Sequence, residues 1–145
     1  MLRGNHLATV DEKGRLKIPA VFLESLRESG TRFFVTSDNG DYVRIYPMRA
    51  WNDIEDKLAK LGSYNKTKQK FLMRANYYGQ PVDLDGQGRI LIQPILRESA
   101  QMKGDVDVMG QLTYLEVWNH ARFLERMNNS PMNEEDYKTL ADLEI

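Results

Sequence analysis

Apolar and polar residues alternate along several short stretches of this chain, and Gly, Pro, Asn and Asp interrupt them at regular points. Leu16-Lys17-Ile18 has the period of two expected of a half-buried strand, with Val10 on the other side of a polar turn. The pattern predicts strands over residues 5–10 and 15–18, then a helix over 19–29 with Val21, Phe22, Leu23 and Leu26 available for burial. Pro19 suits the first turn of that helix, and Gly30 stands where a helix end favours glycine. Phe33-Phe34-Val35-Thr36 and residues 42–46 read as strands, joined through Asn39-Gly40, a strong hairpin-turn signal. Trp51, Ile54, Leu58 and Leu61 then recur at helical spacing over 47–61. Gly62-Ser63 breaks that helix, and a second follows over 66–77 with Phe71, Leu72 and Ala75 apolar, so the two are expected to form a helical hairpin. Beyond it, strands are predicted near 80–84, 89–92, 106–110 and 114–118. A helix over 120–128 carries Phe123, Leu124 and Met127 on one side, and a last short helix is expected over 133–143.

The second set of elements repeats the first. Val10-Asp11-Glu12-Lys13-Gly14-Arg15-Leu16-Lys17-Ile18-Pro19 returns 74 positions later as Leu84-Asp85-Gly86-Gln87-Gly88-Arg89-Ile90-Leu91-Ile92, with Pro94 one residue late. Tyr42-Val43-Arg44-Ile45-Tyr46 returns as Tyr114-Leu115-Glu116-Val117-Trp118, 72 positions on. Self-similarity in so short a chain points to two copies of one supersecondary unit. In each copy the Asp can accept from amides two residues on, the Gly can supply a positive φ, and the Arg opens the strand after the turn. One such unit has too few strands to bury both faces of its sheet, so two halves in one chain are expected to pair.

An Asp-x-x-Gly-Arg turn, a short apolar strand and a Pro-led helix, all duplicated, resemble the MraZ family, part of the AbrB/MazE/SpoVT-like group of DNA-binding folds. Met1-Leu2-Arg3-Gly4, Ile45-Tyr46-Pro47, Val108-Met109-Gly110-Gln111 and Leu115-Glu116-Val117-Trp118 match as well, so the resemblance covers roughly residues 1–125. It implies an α+β fold of duplicated AbrB/MraZ-like repeats, a double-split β-barrel with pseudo-twofold symmetry and linking helices. The first repeat would span 5–47, a linker helical hairpin 48–77, the second repeat 78–121, and a C-terminal helix with an acidic tail 122–145. It further implies a transcriptional regulator that assembles into closed homo-oligomeric rings. Its targets would be short, G-rich tandem repeats in double-stranded DNA, upstream of the division and cell-wall gene cluster. The alternative is a non-enzymatic interaction protein such as an antitoxin-like partner of the same fold; two full repeats and a short tail weigh against it.

Composition narrows the field. The 145 residues hold no cysteine, which excludes disulfides and zinc–thiolate sites. No apolar run has the length of a membrane span, and the polar N-terminus is unlike a signal peptide, so a cytoplasmic protein is expected; the resemblance adds that it is nucleoid-associated. Only His6 and His120 are present, neither in a nucleophile motif, and no phosphate-binding glycine loop or metal-ligand spacing occurs. No catalytic residue, metal, cofactor, or small-molecule substrate is expected. The net charge is −1, yet it is uneven: residues 57–80 carry six basic side chains and no acidic one, while 133–145 carry five acidic and one basic. Within the first hairpin, Lys13, Arg15 and Lys17 have no acidic residue among them; the second offers Arg89 alone, with Gln87 and Leu91 at the matching places. Arg15 is therefore the leading DNA-reading candidate, because its planar fork matches guanine O6 and N7. Lys13, Lys17, Arg3 and Arg89 follow it, with the basic stretch Lys66, Lys68, Lys70 and Arg74 as possible phosphate contacts. Asp11, Gly14, Asp85 and Gly88 are assigned to holding the turns. A purely structural reading of the two arginines, each braced on its turn Asp, stands beside the DNA-reading one.

Overall fold

A computed structural model describes residues 1–145. The strands are β1 (Asn5–Val10), β2 (Arg15–Lys17), β3 (Arg32–Thr36), β4 (Val43–Pro47), β5 (Gln80–Asp83), β6 (Arg89–Leu91), β7 (Gly104–Gly110) and β8 (Leu115–Asn119). The helices are α1 (Ala20–Glu28), α2 (Met48–Ala59), α3 (Lys66–Tyr78), α4 (Pro94–Ser99), α5 (His120–Asn129) and α6 (Glu134–Asp142). The elements expected from the pattern are thus present, with ends shifted by a residue or two. The Asn39-Gly40 signal marks a longer connection than a tight two-residue hairpin. Six residues separate β3 from β4, and the Ser37 hydroxyl accepts from Gly40 N at 2.9 Å to close the loop.

All eight strands form one antiparallel sheet in the order β5-β3-β4-β8-β7-β1-β2-β6, curled into a nearly closed barrel. The two sequence halves interleave. Six residues of β1 pair with β7, from Asn5 opposite Met109 to Val10 opposite Gly104, and β5 pairs with β3. At two further places corresponding strands of the two halves pair with each other. In β2–β6, Leu16 lies opposite Ile90; in β4–β8, Arg44 lies opposite Glu116. Inward-facing residues of the strands and of α1 and α4 make one core of 19 buried side chains, among them Leu16, Ile18, Phe33, Ile45, Ile90, Ile92, Val108 and Leu115. Alternation places their neighbours outside.

The helices divide unevenly. Trp51 of α2 is buried against Phe34, stacked at 4.4 Å between ring centres, and against Tyr46 at 5.1 Å; Phe71 and Ala75 of α3 complete this second cluster. Trp118 stacks on Tyr42 at 4.5 Å and is also buried, so both tryptophans fill the interior. α5 and α6 bury none of their residues. The acidic segment nonetheless forms a defined helix, because Asn133 and Asp136 satisfy one another's backbone amides in a capping box.

Candidate nucleic-acid interface

The two repeated turns fold alike, for a reason visible atom by atom. Asp11 Oδ1 accepts from Lys13 N at 3.0 Å and Arg15 N at 2.9 Å, and Oδ2 accepts from Arg15 Nε at 2.8 Å. Asp85 Oδ1 accepts from Gln87 N and Arg89 N, both at 2.9 Å, and Oδ2 accepts from Arg89 Nε at 2.8 Å. In both turns the glycine amide donates back to the Asp carbonyl, at 2.9 and 3.1 Å. Gly14 (φ +81°) and Gly88 (φ +75°) take the left-handed conformation that side chains other than glycine adopt at a cost. Each carboxyl is held below its ordinary value of 3.8, first by the amide of its Arg and then by that residue's side chain, with burial opposing.

The turns are also locked to one another. Ile18 N donates to Gly88 O at 3.0 Å, and Ile92 N donates to Gly14 O at 2.9 Å. β2 and β6 thereby run as one two-stranded ribbon, with Arg15 opposite Leu91 and Lys17 opposite Arg89. Leu16 and Ile90 point into the core and are fully buried. The outer face therefore carries Arg15, Lys17, Arg89 and Leu91 side by side. Two cations directly opposite each other disfavour the pairing; Asp85 offsets Arg89 from the turn, and Lys17 has no carboxylate partner.

The brace and the exposed face are compatible. In each arginine only Nε is engaged by the turn carboxylate; the terminal amino groups have no partner within the chain. The guanidinium is oriented at its inner edge and open at its outer edge. Bracing the turn thus occupies one nitrogen of each guanidinium and leaves the other two for an outside partner.

Of the remaining candidates, Lys13 is exposed in the first turn, beside the ribbon. Arg3 lies beyond the far end of β1, roughly 20 Å from the turn along an extended strand. Leu2 pairs there with Leu112. Lys66, Lys68, Lys70 and Arg74 lie on α3, outside the ribbon, and Lys68 Nζ donates to Leu61 O at 3.1 Å. No group of three or more His, Asp or Glu side chains is placed to hold a metal ion, and no helix is long and apolar enough to cross a membrane.

Motif reading missed Arg97. A Cβ on Gly14 would run into the Arg97 side chain, and one on Gly88 would run into Leu23. Each turn is covered by a helix of the other half, and the covering residue sits nine positions after its own glycine. That shared spacing was available in the sequence; that it marks a contact across the halves was not.

The family described as "MraZ protein, putative antitoxin-like" matches residues 1–74 and 79–142. Over 143 residues the chain is 52% identical to a protein of Acidobacterium capsulatum, covering 98% of both chains. Over 147 residues it is 49% identical to one of Koribacter versatilis, covering 100% of both. A Thiobacillus denitrificans protein is 35% identical over 124 residues, covering 85% of this chain and 84% of that one. Each of the three is named Transcriptional regulator MraZ.

Proposed function

Since this chain belongs to the MraZ family, we propose that it regulates transcription by reading DNA in the major groove with the β2–β6 ribbon. The observation that carries this reading is the outward face of the ribbon. It brings Arg15, Lys17 and Arg89 together, and both arginines keep their terminal nitrogens free. A two-stranded ribbon fits a major groove, and an arginine fork matches the O6 and N7 of guanine. Leu91, 47% exposed beside Arg15, supplies an apolar group of the kind that meets a thymine methyl. Lys13 and Lys17 add charge toward phosphates, which positions without specifying. Both repeats contribute to one surface, so reading is assigned to the pair of hairpins rather than to the first alone. Arg3, beyond the far end of β1 beside Leu112, lies away from this surface and is left out of the reading face.

The chain is read as a duplicated unit with a pseudo-twofold axis through the Leu16–Ile90 and Arg44–Glu116 pairs. Two observations support this: exchanging each strand for the one four places later leaves the order around the barrel unchanged, and the two turns have matching hydrogen bonds. On such an axis two identical chains would place like residues opposite each other. Fusion lets Arg44 face Glu116, with Nε and Oε2 3.5 Å apart.

A single subunit of net charge −1 has little electrostatic pull on DNA. A closed ring of subunits overcomes this, because once one ribbon is seated the next binds intramolecularly at high effective concentration. Self-association is supported by α5, which buries nothing yet carries Leu124 at 42% and Met127 at 54% exposure on the side of Phe123. The targets are then tandem, short, G-rich sites upstream of the division and cell-wall gene cluster, and the protein acts in the cytoplasm on the nucleoid. Titration against duplexes with increasing numbers of such repeats tests this reading. Apparent affinity should rise by about 10²-fold or more from one copy to two. Equal affinity for all copy numbers and for unrelated DNA would refute it.

A further inference from the structure

We propose that the cleft between α3 and the β3–β4 end of the barrel is a binding site for a small planar aromatic anion. The cleft measures about 300 Å³, at the lower end of small-molecule sites, which suits one or two rings with an acidic substituent. None of its lining residues belongs to the β2–β6 ribbon, so DNA and this ligand engage different side chains.

Its floor is aromatic. Tyr46, Trp51 and Phe71 line it, and Trp51 lies nearly parallel to Phe71 with ring centres 6.1 Å apart. Such a floor favours a flat ring stacked on it.

Its rim is cationic. Arg44, Lys70 and Arg74 line the cleft with one carboxylate, Asp38. Lys70 and Arg74 are four residues apart on α3, so they share a face. Both are exposed, and neither is within salt-bridge distance of any carboxylate. Arg74 makes one internal hydrogen bond, Nη1 to Lys70 O at 3.3 Å.

Arg44 is incompletely satisfied. It donates to the hydroxyls of Tyr46 at 3.3 Å and Tyr42 at 3.1 Å, while its buried Nε makes no hydrogen bond. Glu116 lies 3.5 Å from that Nε, but its other oxygen is taken by the Trp118 indole at 2.8 Å. Burial works against the charge on Arg44, and the surrounding tyrosines more than restore it. Tyr46 accepts from Arg44, so its hydroxyl keeps its own proton for a further acceptor. The corresponding groove of the other half, lined by Met109, Gln111, Glu116, Trp118 and Phe123, has a carboxylate where this cleft has Arg44, and no counterpart of α3 closes it, since α6 buries none of its residues.

Calorimetric titration with three probes tests the site: 1-naphthalenesulfonate, 1-naphthylmethylammonium with the same rings and opposite charge, and inorganic sulfate. The sulfonate is expected to bind saturably, one per chain, and about tenfold more weakly to Lys70→Glu and to Arg74→Glu. Both substitutions lie on the surface, and circular dichroism confirms that the variants fold. Absence of saturable binding would overturn the proposal, as would equal binding of the ammonium probe or undiminished binding to both variants. Sulfate binding as tightly as the naphthyl anion would overturn the aromatic part of it. A dissociation constant that rises with protein concentration would give the cleft to a second copy of the chain, and would overturn it equally.

Discussion

Replacing Arg15 by alanine is expected to remove sequence-specific binding to repeated DNA while leaving the fold standing. The Arg15 guanidinium is held at Nε by Asp11 and is open at its terminal nitrogens. Losing a bidentate guanine contact costs about 1–3 kcal/mol per site and relaxes preference at one base position. Across several engaged subunits these losses compound, so specific binding disappears although each loss is modest. The effect on stability is small, because the Asp11–Arg15 pair is about a third exposed on both sides and solvent screens it. Arg15→Lys keeps the charge and loses the fork, so it should retain non-specific binding and lose base preference. Lys13→Ala should weaken binding to all sequences and make the salt dependence shallower by about one ion per contact.

The companion variant is Asp11→Ala, which leaves the Lys13 and Arg15 amides and Arg15 Nε without their acceptor. It should lower both melting temperature and affinity, whereas Arg15→Ala lowers affinity far more than melting temperature. The pH behaviour follows from the direction of the shifts. Asp11 and Asp85 titrate below 3.8 in the folded chain, so the brace is fully present above the ordinary carboxylate range. It is lost only as the pH falls through the depressed values. DNA binding should therefore not switch on these carboxyls near neutrality. If Arg15→Ala melts like the unaltered protein and keeps both affinity and sequence preference, Arg15 is not the reader.

Leu16→Ala and Ile90→Ala are each expected to destabilise the chain by about 2–5 kcal/mol, the range for truncating a fully buried aliphatic side chain. That is a large fraction of the roughly 5–15 kcal/mol that keeps a domain folded. The two side chains lie directly opposite each other beneath the ribbon, so they share one cavity. The double variant should depart from additivity by about 0.5–3 kcal/mol. Urea denaturation at one fixed protein concentration measures this, since any self-association would shift apparent stability with concentration. Losses below about 1 kcal/mol, or strict additivity, would mean that the two hairpins do not depend on one another. The link to function is direct, because the residues that aim Arg15 and Arg89 outward are anchored by Leu16 and Ile90 inward.

The sequence and the structure agree best where interactions are local. Asp11, Gly14 and Arg15 lie within five positions, so the turn chemistry could be read from spacing, and so could its second copy at Asp85, Gly88 and Arg89. Helices with strong periodicity, such as the one bearing Trp51 and Ile54, were equally plain. What spacing does not encode is register between distant segments. Nothing in the motif says that Lys17 lies opposite Arg89, so spacing alone does not reveal that the two hairpins share one outer face. The same holds for Arg97 over Gly14 and Leu23 over Gly88, contacts made across the two halves. Arg44 reads as a strand residue in a repeated segment; its place in a cleft depends on α3, a helix that begins at Lys66 and supplies Lys70, Phe71 and Arg74. The Asn39-Gly40 signal overstated a tight hairpin because Ser37 closes a wider loop from the side, and the Ser99 hydroxyl donates to Gly40 O at 2.8 Å.

The absence of cysteine makes one measurement direct. A single cysteine at Gln87, exposed in the second turn beside the ribbon, can carry a tethered iron chelate that cleaves nearby DNA. Thr113, exposed in the connection between β7 and β8 at the far end of the barrel from the ribbon, serves as the control site. On DNA from upstream of the protein's own gene, the reagent at position 87 should cut once in every repeat, and the reagent at position 113 should not. Cleavage from position 113 with none from position 87, while the labelled proteins still bind, would contradict the assignment of the β2–β6 ribbon as the reading surface.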